Sequence, residues 1–157
     1  MKISEIVNRD VITVTRATNL RELLKIFSKF HSFPIIPVLD KNENFLGVVT
    51  LEGIIEQFSP ISTQLGKFFK YAMDGHSKIR ELFELDIPTD AGTLFLADDL
   101  MTKKVITISQ DKDIFDAERI MEQNRVDVLP VLDGKKFVGL ISKFDIILGI
   151  LRQKGII

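Results

Sequence analysis

The chain has no cysteine among its 157 residues, and this absence excludes disulfide bonds and thiolate metal ligands. A chain without thiols also fits a reducing compartment. Its two histidines, His31 and His76, stand alone, with no metal-ligating companion at a useful spacing. The sequence therefore predicts no metal site.

Strong net charge and long apolar runs are lacking as well. The formal net charge is −1, so no overall field attracts nucleic acid or an anionic membrane. The apolar run from Ile146 to Leu151 is far shorter than the roughly 20 residues that a membrane helix needs. The N-terminus has no signal-peptide core. We expect a soluble, cytoplasmic protein that binds neither membranes nor nucleic acid.

An internal repeat is the most informative feature that is present. Three segments recur in the same order about 93 residues later: 11–15 as 105–109, 37–40 as 130–133, and 45–50 as 137–142. Duplication of this kind predicts two similar structural units in one chain, with equivalent sites near the seam between them.

Each copy reads as β-α-β-β-α, preceded by a short helical turn. A strand at the first recurring segment precedes a helix, which Asn19 or Asp113 caps. A hairpin then leads into a last helix that starts at Thr50 or Ser142. The fold class predicted is α/β (α+β), with two pseudo-symmetric repeats packed together and a helical insert between them.

The predicted domain boundaries follow from the repeat. They are 1–58 for the first repeat, 59–95 for a helical insert, 96–152 for the second repeat and 153–157 for a C-terminal tail. Apolar residues in the insert have helical spacing at Leu65, Phe68, Phe69 and Ala72. This face either packs onto the repeats or forms a partner surface.

The duplicated pattern resembles the CBS domain, which occurs in tandem pairs called Bateman modules. The residues that carry the resemblance are 98–102, 105–107, 128–133 and 139–147 in the second copy, and 37–40 and 47–50 in the first. The resemblance implies a non-enzymatic sensor that requires no cofactor. It would bind AMP, ADP, ATP or S-adenosylmethionine in a cleft between the repeats and signal to an effector protein. It also implies a homodimer, for which the helices after Thr50 and Ser142 offer surfaces.

Ser142 and Asp145 have two interpretations. The spacing S-x-x-D at the start of a helix is typical of a capping box, in which the serine is the N-cap. The resemblance implies that Asp145 holds the two ribose hydroxyls, with Ser142 adding a contact to ribose or phosphate. Both roles involve the same carboxylate, and the sequence leaves them open.

The resemblance also implies the rest of a ligand site in the second repeat. Backbone and apolar groups would meet the adenine at Val105, Ile106, Thr107, Val128, Leu129 and Pro130. The alternative interpretation is that at least half of these are core strand residues. Candidate phosphate contacts are Lys103, Lys104, Arg125 and Lys143, each of which is otherwise a solvated surface charge.

The first repeat departs from this pattern because Gly53 stands where the second repeat has Asp145. Its site should therefore lack the ribose anchor and bind more weakly. The candidate residues of this weaker site are Val11, Ile12, Thr13, Ile36, Pro37 and Thr50.

Two other function classes compete with the sensor. An enzyme is disfavoured because the chain has no phosphate-binding loop motif, no nucleophile elbow and no Cys/His cluster. A ligand-independent assembly module is the remaining alternative. Gly53 favours it, whereas the intact Ser142 and Asp145 pair argues against it.

Overall fold

A computed structural model describes residues 1–30, 35–58 and 89–157. Most of the predicted insert and both histidines lie outside these residues. The described helices are α1 (Leu20–Phe27), α2 (Leu51–Gln57), α3 (Ala91–Leu94), α4 (Ala97–Leu100), α5 (Ile114–Asn124) and α6 (Lys143–Gln153), with a 3₁₀ turn at Ile3–Glu5. Within this part of the chain, no helix has the length and apolar character needed to cross a bilayer.

The strands form two small sheets. Strands β1 (Ile35–Leu39) and β2 (Phe45–Thr50) make one sheet, and β3 (Ile108–Ser109), β4 (Val128–Asp133) and β5 (Lys136–Ser142) make the other, in that order. Strand β4 runs parallel to β3 and antiparallel to β5. The mixed fold with two hairpin-containing repeats is confirmed.

The first strand of each repeat is shorter than predicted. In the second repeat only Ile108 and Ser109 pair with β4, and residues 105–107 precede the ladder. In the first repeat the strand is reduced to one parallel bridge between Val14 and Val38. The prediction of strands over residues 11–15 and 105–109 was therefore too long, because β propensity alone does not supply a neighbouring strand.

The contacts divide the chain into two compact units that do not follow the repeats. The first unit contains Met1–Thr13, Leu39–Gly47 and Lys104–Ile157, and the second contains Val14–Val38 and Val48–Lys103. Each unit thus combines residues of both sequence repeats. The boundaries of the repeats stay a prediction from the sequence.

In the first unit, the N-terminal turn completes the core of the second repeat. Ile3 is fully buried among residues such as Met121, Leu129 and Ile141. The backbone of Asn8 exchanges two hydrogen bonds with Leu140, of 2.9 and 3.0 Å. The N-terminal segment therefore adds to β5 as a short antiparallel neighbour.

In the second unit, the segment that begins the second repeat adds to β2 as a short antiparallel neighbour. Thr102 and Val48 exchange two backbone hydrogen bonds, of 2.8 and 3.1 Å. Ala97 and Leu100 of α4 are buried, as Ile3 is in the first unit. Equivalent positions of the two repeats thus make equivalent contacts: Asn8 with Leu140 in the first unit, and Thr102 with Val48 in the second.

Asp113 caps α5 and also binds the N-terminus, so it should make stability depend on pH. Its Oδ1 accepts a hydrogen bond from Phe115 N at 3.0 Å, and its Oδ2 lies 3.2 Å from the Met1 ammonium. The Phe115 hydrogen bond has the largest effect and lowers the pKa of Asp113; desolvation opposes it, and the nearby ammonium lowers the pKa further. A lowered pKa adds stability above the unfolded-state value of about 3.9, and this stability disappears as pH falls through the folded-state value.

Asp113→Asn should therefore be less stable than the wild type near neutral pH, and the two should converge below about pH 4. Thermal unfolding of both proteins across this range measures the difference. A gap in melting temperature that stays constant with pH would contradict the assignment to Asp113.

Candidate functional site

Ser142 and Asp145 lie where β5 ends and α6 begins. Ser142 has extended backbone angles and is the N-cap of α6, so its side chain can reach back over the first helical turn. Ser142 Oγ accepts from Asp145 N at 3.2 Å. Asp145 Oδ2 in turn accepts from Ser142 N at 2.8 Å and from Ser142 Oγ at 2.6 Å. The capping box predicted from the spacing is confirmed.

The capping box engages only one carboxylate oxygen of Asp145. Among the hydrogen bonds of the described residues, none uses Oδ1, and the side chain is half-buried. A carboxylate oxygen offers about two acceptor positions. Asp145 can therefore cap the helix and accept from a ligand at the same time, so the two interpretations do not exclude each other.

Strand β4 brings its predicted site residues next to Ser142. Val128 pairs directly with Ser142, and Leu129 pairs with Ile141. Val128 is half-buried, whereas Leu129 and Pro130 are buried. Leu129 belongs to the core of the first unit. Val128 is therefore the best placed of the three to offer an apolar surface beside the Ser142 hydroxyl.

Residues 105–107 precede β3, which is the other neighbour of β4. Val105 and Thr107 are half-buried, and Ile106 is 41% exposed. Because these residues lie outside the ladder between β3 and β4, their backbone groups are not paired with β4. Thr107 also lines an open hollow of about 210 Å³ together with Ser109, Lys112 and Arg119.

The four candidate phosphate contacts differ in their surroundings. Lys143 Nζ lies 3.0 Å from Asp127 Oδ1, so its charge is partly compensated. Arg125 is exposed and ends α5 with a left-handed backbone, at φ 53°. Lys104 is an exposed residue of the first unit, and Lys103 is an exposed residue of the second.

The candidate residues of the first repeat are divided between the units. Val11, Ile12 and Thr13 belong to the first unit, and the others belong to the second. Ile36 and Pro37 are buried in the second unit. Thr50 caps α2 by accepting from Gly53 N at 3.0 Å. Thr50 is thus the counterpart of Ser142 as an N-cap, but Gly53 supplies no carboxylate in the place of Asp145.

Gly53→Asp should stabilise α2 by about 1 kcal/mol, because it removes a helical glycine and completes a capping box with Thr50. A Cβ atom at residue 53 would lie 3.1 Å from Thr50 Oγ1, so the hydroxyl must shift by a few tenths of an ångström. Thermal unfolding tests this change. Gly53→Ala is the control that isolates helix propensity, and an aspartate variant no more stable than the alanine variant would contradict the capping box.

Asp127, Lys112 and Arg119 were not among the sequence candidates. Asp127 contacts Lys143 twice, since its carbonyl also accepts from Lys143 N at 3.1 Å. Asp116 and Arg119 lie three residues apart on α5, a spacing that predicts an ion pair from the sequence. In the structure, an Arg119 guanidinium nitrogen lies 2.7 Å from Asp116 Oδ1. The contact between Asp127 and Lys143 depends on the tertiary fold and has no such signal.

The CBS domain family model matches residues 3–59 and 97–152, which together make up most of the chain. The chain therefore belongs to the CBS domain family, and the resemblance found in the sequence is confirmed. A relative in Methanocaldococcus jannaschii, the protein MJ1232, is 28% identical over 148 residues. That match covers 94% of this chain, which spans only 38% of the relative's length.

Solved structures show the same fold. The structure of CBSX2 in complex with AMP matches with a TM-score of 0.67, 18% identity and 98% coverage of each chain. The CBS domain pair of MJ0100, in complex with 5-methylthioadenosine and S-adenosylmethionine, matches with a TM-score of 0.59, 19% identity and 98% coverage of each chain. At 18% and 19% identity, these matches show that the chain shares the fold of the two proteins.

Proposed function

We propose that this chain is a regulatory module that binds an adenosine-containing ligand at the second repeat and signals to an effector protein. The observation that carries the proposal is the carboxylate of Asp145, which caps α6 through Oδ2 and leaves Oδ1 outside the hydrogen bonds of the described residues. Two structures of the same fold hold adenosine compounds, namely AMP in one and S-adenosylmethionine with 5-methylthioadenosine in the other.

Asp145 would recognise the ribose. Its Oδ1 accepts from the adjacent 2′- and 3′-hydroxyls, and hydrogen bonds to a charged acceptor are stronger than neutral ones. Because Ser142 N and Oγ already hold Oδ2, the carboxylate is oriented before the ligand arrives, which reduces the entropy lost on binding. The adenine would lie against residues 105–107 and Val128.

Phosphate groups would bind near the first turn of α6, where the helix dipole favours anions. Lys104, Arg125 and Lys143 are the candidate cations of the first unit. Lys143 would exchange its contact with Asp127 for a phosphate oxygen. AMP, ADP, ATP and S-adenosylmethionine all contain the ribose that Asp145 would bind.

The proposed module has no chemistry of its own, so the ligand would be released unchanged. In the first repeat, Thr50 lacks a carboxylate companion, so this repeat would bind an adenosine ligand weakly or bind another ligand. An assembly module without nucleotide binding is the second candidate, which Gly53 favours. We further propose that the module acts as a homodimer.

A thermal-shift panel tests the proposal with AMP, ADP, ATP, S-adenosylmethionine and GMP. A ligand that binds only the folded state adds about 2.7 kcal/mol of stability at 100 times its Kd. We expect a higher melting temperature with at least one adenosine compound and none with GMP. An equal response to GMP, or no response to any compound, would favour the assembly module. Recovery of unchanged nucleotide, measured by chromatography, tests the absence of turnover.

A further inference from the structure

A carboxylate and an ammonium meet beside the proposed ribose anchor. Val128 pairs with Ser142 where β4 begins and β5 ends. Asp127 directly precedes β4 and Lys143 directly follows β5, and the Lys143 ammonium lies 3.0 Å from Asp127 Oδ1. Ser142, which these two residues flank, also holds Oδ2 of Asp145. The immediate surroundings of the anchor therefore contain two carboxylates and one ammonium.

The exposure of this ion pair indicates that the fold does not depend on it. The side chains of Asp127 and Lys143 are 49% and 45% exposed. An ion pair exposed to this degree contributes little to stability, because water and salt screen the attraction. The backbone hydrogen bond from Lys143 N to the Asp127 carbonyl, at 3.1 Å, does not involve the carboxylate. The charge of Asp127 can therefore be removed while the fold is kept.

The first repeat has no counterpart of this ion pair. In the alignment of the two repeats, Pro34 takes the position of Asp127. Leu51 takes the position of Lys143. The same repeat also lacks the aspartate of the ribose anchor, where it has Gly53. The ion pair thus occurs in the repeat that has the anchor, which connects it with the ligand site and not with the fold that both repeats share.

The charge of Asp127 makes phosphate groups costly at this site. A phosphate that attracts the Lys143 ammonium leaves the Asp127 carboxylate beside it without its cation. Like charges side by side repel, and the repulsion grows with each further phosphate. A positively charged substituent meets the opposite situation. It is attracted by Asp127 and need not displace Lys143, because a carboxylate accepts at two oxygens.

We propose that Asp127 is a specificity-determining residue, which makes the second repeat prefer an adenosine ligand with a cationic 5′ substituent over one with phosphate groups. The proposal rests on the adenosine site proposed above at Asp145, and it names the class of ligand that this site selects. S-adenosylmethionine, which carries a sulfonium and an amino group, represents the preferred class. AMP and ATP represent the other class, and the preference is largest against ATP.

Titration calorimetry of Asp127→Asn with S-adenosylmethionine, AMP and ATP tests the proposal. The wild type should bind S-adenosylmethionine more tightly than AMP or ATP. In Asp127→Asn, the ratio of the ATP Kd to the S-adenosylmethionine Kd should fall by about 10-fold or more, because the repelling carboxylate is gone. Asp127→Lys, which reverses the charge, should lower this ratio further. Thermal unfolding of both variants without ligand should give melting temperatures close to that of the wild type.

Asp133→Asn is the matched control, because it removes the same charge from the other end of β4. Asp133 is exposed and lies six residues from Asp127 along the strand. At the usual rise of a β-strand this separation is about 20 Å. It exceeds the screening length of about 8 Å at physiological salt. Asp133→Asn should therefore keep the wild-type ratio. A change equal to that of Asp127→Asn would show an effect of net charge and overturn the role of Asp127.

The outcomes separate this proposal from the one on which it rests. A wild type that binds no adenosine compound would remove the adenosine site itself, and the selectivity with it. A wild type that binds AMP or ATP more tightly than S-adenosylmethionine would overturn the selectivity and keep the adenosine site. An Asp127→Asn protein that is folded and has the wild-type ratio would do the same.

Discussion

Replacing Gly139 by alanine is expected to lower the free energy of unfolding by about 3 kcal/mol or more. A Cβ atom at this position would collide with the carbonyl oxygen of Asn8 and would lie 2.9 Å from Val7 Cγ2. The backbone can relieve this collision only by separating the N-terminal segment from β5. That movement breaks the two hydrogen bonds between Asn8 and Leu140 and disturbs the packing of Ile3.

Chemical denaturation of Gly139→Ala measures the loss. Gly92→Ala is the matched control, because the atoms nearest to a Cβ atom there belong to the Arg21 side chain, the first of them at an ordinary 3.4 Å. In native-state hydrogen exchange, the amide of Leu140 should lose protection in Gly139→Ala and keep it in Gly92→Ala. A Gly139→Ala protein as stable as the wild type would contradict the close approach of Asn8 to β5.

The second large effect is expected at Asp145. Asp145→Asn should weaken binding of an adenosine ligand by about 100-fold, since hydrogen bonds to a charged group contribute roughly 1.5–3 kcal/mol each. The amide can still accept from Ser142 with its oxygen, so the N-terminus of α6 stays capped. Its nitrogen, however, places a donor where the ribose hydroxyls need an acceptor.

Asp145→Ala provides a contrast, because it also removes the carboxylate half of the capping box, while Ser142 Oγ still accepts from the backbone N of residue 145, and it should cost about 1 kcal/mol of stability without ligand. Asp116→Asn is the matched control, since Asp116 occupies the same third position of α5. Titration calorimetry of the three variants with the strongest ligand separates binding from stability. Wild-type affinity in Asp145→Asn would show that the carboxylate does not hold the ligand.

Much of the local structure could be predicted from the sequence, because the signals are short-range. Asn19 accepts from Glu22 N, and Asp113 accepts from Phe115 N, as their cap positions predict. Sequence signals of this kind could not predict that the N-terminal segment of each repeat packs against the other repeat. The two repeats have the same apolar pattern, so the pattern of Ile3 and its neighbours fits the core of either copy.

The candidate site also contains contacts that short-range sequence signals predict and contacts that they do not. The bonds between Ser142 and Asp145 follow from a spacing of three residues at a helix start, which the sequence displays directly. The pairing of Lys143 with Asp127 joins residues from different elements. The hollow at Thr107 likewise needs Lys112 and Arg119 from a neighbouring turn and helix. Such contacts depend on how the elements pack, which residue type and spacing do not specify.

Calorimetric titration of the wild-type protein with AMP, ADP, ATP and S-adenosylmethionine decides whether the chain binds an adenosine ligand. We expect saturable binding of at least one of them, at one high-affinity site per chain, and no binding of GMP under the same conditions. Absence of saturable binding by all four at concentrations up to about 1 mM, a free energy weaker than roughly −4 kcal/mol, would contradict this expectation.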